Sequence, residues 1–277
     1  MRPPFPYYGG KMTVADRIVD LLPDHRHYVE PFAGSLSVLL AKPAAAFETV
    51  NDLHRELVTF WKVLRDRPEE LIRVCALTPH SRDEFATAAD IAQPDELETA
   101  RRVWVRLSQS RSATLRRTGW RYYIDTAGSS SAMPDYLAGY VQRLGVVAER
   151  LHSVSLECRP AVEVIAAFGQ SADVCLYVDP PYLGSVRTGA SYVHEMRADA
   201  EHTELLEQLL DCRSAVVVSG YASDLYDTAL AGWTRIEISA FNGNGNTGAR
   251  TEVVWCNREI GHPTLDLGFE SPKAAQA

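Results

Sequence analysis

The sequence predicts an α/β protein whose parallel sheet is interrupted by a mainly helical segment. Three observations carry this. Apolar runs of strand length, such as Val174–Val178 and Ala215–Val218, stop abruptly at a proline, a glycine or an acid. Segments with helical apolar spacing lie between such runs. From residue 66 to residue 149 the strand pattern disappears and returns only afterwards. The expected organisation is one discontinuous α/β domain, residues 1–65 and 150–260, with an insertion at 66–149 and a poorly ordered tail at 261–277. A chain of 277 residues with 46% hydrophobic content can bury one large core of this kind.

Composition narrows the function classes. The formal net charge of −8 argues against a protein coated in basic charge. It leaves room for a local basic surface, because polyanion binding depends on where positive charge is concentrated. The five cysteines are widely spaced and none forms a metal-ligand pair, so reduced thiols and no metal are expected. No apolar run reaches membrane-spanning length and the first residues lack a signal-peptide pattern. A soluble cytoplasmic monomer is the expectation.

At the N-terminus, Phe5-Pro6-Tyr7-Tyr8-Gly9-Gly10-Lys11 precedes a helical pattern over Thr13–Leu22, with Thr13 as the candidate N-cap. Glycines before a helix let the backbone approach an anionic group; an aromatic-anchored turn reads equally well here. Next, His27–Glu30 is a short strand that ends at Pro31. A turn through Gly34 and a helix over Ser35–Ala41 follow. An acid at that strand end suits a cationic or hydroxyl-bearing cofactor better than a pyrophosphate. No Gly-x-Gly-x-x-Gly and no Gly-Lys-Ser/Thr is present. Phe47–Asp52 is a second strand with an acidic end. Asp52 lies about twenty residues past the turn, the separation at which an acid reaches a cofactor ribose; it could equally cap the next helix, Leu53–Leu64.

Inside the helical segment, Arg101–Tyr123 holds seven arginines and no acid, interleaved with Ser, Thr, Gln and aromatic residues. The plain reading is a solvated basic face. The sharper one is a nucleic-acid surface, because Arg grips phosphate and guanine bidentately and Gln can read adenine. Candidate contacts are Arg106, Gln109, Arg111, Arg116, Arg117 and Arg121, with Ser110 and Ser112 beside them. After residue 150, strand and helix alternate again: His152–Cys158, Val162–Phe168, Val174–Val178, Thr203–Leu210, Ala215–Gly220, Thr234–Ser239 and Glu252–Asn257. The loop Asn242–Gly248 is either a flexible hairpin tip or a substrate-contacting flap.

Asp179-Pro180-Pro181-Tyr182 is the most specific stretch. Two prolines end the strand before it and leave a stiff loop with one carboxylate and one ring. At average residue usage this tetrapeptide arises by chance in such a chain on the order of one time in a thousand. Its order with Tyr7-Tyr8-Gly9-Gly10-Lys11, Glu30-Pro31-Phe32-Ala33-Gly34, Asn51-Asp52 and the basic insertion resembles the Dam-type (D12, alpha-group) adenine-N6 DNA methyltransferases. Glu201-His202, Ser219-Gly220-Tyr221 and Glu252–Asn257 extend the resemblance.

The resemblance implies a Rossmann-like methyltransferase sheet, S-adenosylmethionine as methyl donor and an inserted target-recognition domain. Tyr7, Lys11, Glu30, Phe32, Gly34, Asp52 and Asp179 would line the cofactor site, and Asp179, Pro180, Pro181 and Tyr182 the catalytic loop. Duplex DNA would be the partner, with or without a cognate restriction endonuclease. The chemistry is consistent: an adenine amino group is a poor nucleophile that needs acceptors for its hydrogens, and Asp179 with the Pro180 carbonyl could supply two. The base would be flipped out and stacked on Tyr182. The same loop would also serve cytosine N4, RNA adenine or a glutamine amide; an inactive DNA-binding relative that keeps the fold is the other alternative, and the intact loop argues against it. Three positions depart from the family pattern: Leu36 replaces a second turn glycine, Pro160 a strand-end acid, and Tyr8 a residue that is more often small.

Overall fold

The computed structural model describes residues 1–90, 95–122, 132–184, 193–239 and 251–260. Tyr123, the Asn242–Gly248 loop and the tail from residue 261 lie outside the described residues.

Seven strands form one sheet in the order β3-β2-β1-β4-β5-β7-β6. They are β1 (His27–Glu30), β2 (Phe47–Asn51), β3 (Val154–Glu157), β4 (Val174–Val178), β5 (Ala215–Gly220), β6 (Thr234–Ser239) and β7 (Thr251–Cys256). The first five run parallel, and β7 runs antiparallel between β5 and β6. The central strands β4 and β5 are buried along their whole length, which is why they read as unbroken apolar runs. The edge strand β6 alternates instead. Strand order reverses between β1 and β4, so the crevice for a ligand opens at the carboxyl ends of those two strands.

Helices flank the sheet. Those before the insertion are α1 (Ala15–Val19), α2 (Ser37–Ala41) and α3 (Arg55–Asp66). The expected Thr13 cap is corrected: α1 starts from Val14 with no side-chain cap. The α3 helix is capped by His54, whose Nδ1 accepts from the Leu57 N–H. Its buried face is Leu57, Phe60, Trp61 and Leu64. Pro68 then opens α4 (Pro68–Leu77), followed by α5 (Arg82–Thr87), α6 (Glu96–Gln109) and α7 (Met133–Leu151). The helices α8 (Ala161–Phe168), α9 (Asp199–Leu210) and α10 (Asp224–Ala229) complete the α/β part.

The helical insertion shares its core with the α/β part. Trp104 of α6 and Leu144 of α7 belong to the same apolar cluster as Phe5, Phe60 and Trp61. The Trp104 indole donates to the Pro4 carbonyl at 3.2 Å. The expected boundary at residue 149 falls inside α7, which runs on to Leu151 and enters β3 directly.

Candidate active site

A cavity of about 450 Å³ lies at the carboxyl edge of the sheet. It is lined by Tyr7, Lys11, Glu30, Phe32, Gly34, Asp52 and Asp179, which brings together every residue assigned to the cofactor site from sequence. Its volume falls in the range of small-molecule and cofactor sites.

The loop after β1 is held by its own residues. Glu30 is buried; its Oε1 accepts from the Tyr28 hydroxyl at 2.7 Å and from the Leu39 N–H at 2.8 Å. Burial pushes the Glu30 carboxyl up to about 8, against the lowering effect of those two donors. Gly34 has φ +49°, and a Cβ there would meet the Tyr7 ring at 3.1 Å. Leu36 also takes a left-handed backbone, φ 57°, with its side chain wholly buried. It therefore packs the core beneath α2. At the end of β2, the Asn51 side chain donates to the Pro31 and Arg159 carbonyls and so ties β1, β2 and β3 together. Both Asp52 oxygens accept backbone N–H groups, from Gly34 at 3.0 Å and His54 at 2.8 Å. Burial raises the Asp52 carboxyl, while these two donors oppose the shift. One buried and one half-buried acid in a mostly apolar cavity suit a ligand with a positive charge and hydroxyl groups. Pro160 lines the cavity with Ala161 and Val162 and presents no acid there.

Lys11 joins the Asp179–Tyr182 loop to the rest of the site. Its Nζ donates to Asp179 Oδ1 at 2.7 Å and to the Tyr182 hydroxyl at 2.7 Å. It also lies 3.2 Å from Glu252 Oε1. Burial alone would lower the Lys11 ammonium, yet Asp179, Tyr182 and Glu252 raise it well above its ordinary value. Burial raises the Asp179 carboxyl against the pull of Lys11 and Ser219. Lys11 thus reaches the Asp179–Tyr182 loop as well as the cavity.

Tyr182 differs from expectation. Its ring is buried and stacks on Tyr221, with centroids 4.2 Å apart and planes 17° apart. Lys11 Nζ lies 4.8 Å from the Tyr182 centroid. An open stacking platform was expected; in this structure Tyr221 already covers one ring face. A base can stack there only if the two rings part.

The insertion reaches back to the cavity through a narrow loop. Ser110 and Trp120 form an antiparallel bridge, and Arg111 N donates to Gly119 O at 2.9 Å. Between them, Ala113, Thr114 and Leu115 line the cavity, and the Tyr8 N–H donates to the Ala113 carbonyl at 2.8 Å. Sequence reasoning found no role for Tyr8; its backbone fastens the cofactor turn to the insertion.

The basic stretch divides in two. Arg101 and Arg102 pair with Glu98, and Arg101 also with Glu84. Arg106 pairs with Glu56 at 2.8 Å and donates to the Leu115 carbonyl. Arg106, expected to contact DNA, is half-buried here and fastens α6 to α3. Gln109, also expected to contact DNA, is wholly buried, donates to Pro79 O at 3.0 Å and accepts from Trp120 Nε1 at 3.2 Å. Its amide oxygen also accepts from the Ser81 N–H at 3.3 Å, so the side chain is held inside the insertion. Ser110 is buried as well. Arg111, Ser112, Arg116 and Arg117 are exposed on the loop, with Arg116 3.6 Å from Glu195. Arg121 is half-buried over the Tyr136 ring. Next to them, Trp120 stacks on His80 at 4.3 Å, and Arg82 lies over Trp120 and Tyr122. Arg82 was missed because it lies outside the arginine run.

Glu252 was quoted in the sequence pattern without a role. An acid opening an otherwise apolar strand was the available signal. His202 was likewise passed over; it is buried between the Tyr226 hydroxyl and the Met196 carbonyl, at 2.8 Å from each.

Comparison with known proteins adds the following. The sequence model of the D12 class N6 adenine-specific DNA methyltransferases matches residues 7–242. The type II methyltransferase M1.LlaDCHI of Lactococcus lactis subsp. cremoris is 25% identical over 278 residues, covering 93% of this chain and 95% of that protein. Among solved structures, a precorrin 8w decarboxylase from Methanobacterium thermoautotrophicum superposes with TM-score 0.40 and 11% identity, over 95% of this chain and 100% of that one. The rRNA methyltransferase aviRa from Streptomyces viridochromogenes does so with TM-score 0.35 and 12% identity, over 92% and 88%.

Proposed function

The chain belongs to the D12 class of N6 adenine-specific DNA methyltransferases, and from that premise we propose how its own residues carry out the reaction. The observation that carries the reading is the convergence of a 450 Å³ acid-bearing cavity and the Asp179–Tyr182 loop at one sheet edge. Within it, Tyr7, Glu30, Phe32, Gly34 and Asp52 would hold S-adenosylmethionine, with Asp52 on the ribose hydroxyls and Glu30 facing its positive charge. The cofactor supplies an electrophilic methyl group on a sulfonium.

The target adenine leaves the duplex and enters beside Tyr182. The rings of Tyr182 and Tyr221 part, and the base takes the place that Tyr221 holds in this structure. Asp179 and the Pro180 carbonyl would accept hydrogen bonds from the two amino N–H groups, and the one proton that N6 loses on methylation would leave through Asp179. These hydrogen bonds draw the nitrogen lone pair out of the ring system and offset the positive charge that develops on N6. Both acceptors come from one stiff loop, so little ordering remains to be done when the base arrives.

The helical insertion between α3 and β3 would be the target-recognition part. Arg111, Arg116, Arg117 and Arg121 would meet DNA, joined by Arg82 and Tyr122. Arg111 and Ser112 remain for base edges. Ala113–Leu115, between the basic tip and the cavity, would carry the consequence of DNA binding to the cofactor.

The test is Asp179→Ala. Methyl transfer to DNA should fall by at least about a hundredfold, while DNA affinity measured by filter binding or anisotropy stays within about twofold of wild type. Parallel loss of transfer and of DNA affinity would mean that the loop is a structural turn.

A further inference from the structure

Lys11 is a buried cation placed against two carboxylates, the half-buried Asp179 and the buried Glu252. Its Nζ is 2.7 Å from Asp179 and 3.2 Å from Glu252, with side-chain exposures of 4%, 20% and 8%. If both acids are ionised, the cluster carries one net negative charge. If only Asp179 were present, its ion pair with Lys11 would cancel the charge needed to attract the amino hydrogens of the substrate. We propose that Glu252 is a positioning residue that takes a share of Lys11, so that Asp179 keeps the negative charge with which it accepts from the target amino group. This rests on the reading of Asp179 given above and adds to it a residue that does not touch the base.

Among the described residues, the groups that face Glu252 are Lys11 from the N-terminal turn and Asp179 and Tyr182 from the Asp179–Tyr182 loop. Tyr177, at the end of β4, lies within the field of the same cluster. Burial raises the Glu252 carboxyl to about 7, with Asp179 adding to the rise and Lys11 opposing it. The sign follows directly. Below that value Glu252 takes a proton, Lys11 turns wholly to Asp179, and the cluster becomes neutral. Above it the second negative charge returns. Methyl transfer should therefore be weak on the acid side and rise with pH through about 7.

The experiment is the single-turnover methylation rate on duplex DNA from about pH 6 to about pH 9, for wild type, Glu252→Gln and Glu252→Asp. Thermal stability and cofactor affinity are measured alongside. The wild-type rate should rise through about 7. Glu252→Gln imitates the protonated acid; it should run about tenfold or more below the wild-type plateau and lose that rise, with cofactor affinity kept. Glu252→Asp should retain a rise. A Glu252→Gln profile that follows wild type overturns the proposal. So does a wild-type profile that is flat through neutrality, whether or not the Gln variant folds. Absence of N6-methyladenine from wild type at any pH would overturn the underlying reading instead, and the two failures are thereby distinct.

Discussion

At the scale of single residues, chemical type was legible and environment was not. The acids Glu30, Asp52 and Asp179 were recognisable because they end strands, and strand ends converge in an α/β sheet. Gln109 and Arg106 looked like DNA contacts because their residue types suit bases and phosphates. Their three-dimensional neighbours were not legible: Pro79 and Trp120 bind the Gln109 amide, and Glu56 pairs with Arg106. Glu252 was obscure for the converse reason, since its partner Lys11 is remote in sequence. Leu36 gives a clean test of backbone against packing. Its left-handed φ of 57° costs about 1–2 kcal/mol relative to glycine, and its buried side chain repays that. Leu36→Ala should lose about 2–5 kcal/mol in chemical denaturation. Leu36→Gly should be no less stable than Leu36→Ala, although it is smaller, because only glycine relieves the strain. A glycine variant about 1 kcal/mol below the alanine variant would show that the turn is not strained.

At the scale of elements, strand positions were legible because fully buried strands leave unbroken apolar runs, as in β4 and β5. Helix starts were less so: Thr13 has the right chemistry for a cap but lies outside α1, and His54 caps α3 without being an ordinary capping residue. What ties α7 to the sheet could not be read either. Glu48 of β2 receives Lys42 at 2.8 Å and Arg150 of α7 at 2.7 Å, all three nearly buried. Burial would raise the Glu48 carboxyl, but hydrogen bonds from Arg150 and Lys42 lower it below its ordinary 4.5. A lowered acid contributes stability above its unfolded value and loses it as pH falls through the native one. Glu48→Gln leaves two buried cations and should cost about 3–5 kcal/mol near neutrality, and it should remove that part of the acid loss. Denaturant midpoints across pH check this; a variant within about 0.5 kcal/mol of wild type would show the ion pairs to be dispensable.

At the scale of the whole molecule, the sequence supports the α/β class and the helical interruption but not the strand order. Placing β1 next to β4, and turning β7 antiparallel between β5 and β6, depends on contacts between segments far apart in the chain. Nor does a break in pattern reveal that the insertion shares its core with α3 and the N-terminal Phe5. That shared core has a functional consequence in the present account, because the loop at Ala113–Leu115 lies at once against the cavity and next to the exposed arginines. The net charge of −8 sets those arginines apart as the local site where a polyanion would settle. The central claim is that the cavity, the Asp179 loop and this basic tip act together on adenine in duplex DNA. Its most direct test is incubation of the protein with methyl-labelled S-adenosylmethionine and mixed-sequence duplex DNA, followed by digestion and nucleoside analysis. The account predicts label in N6-methyladenine. Label confined to N4-methylcytosine, RNA or protein would contradict it.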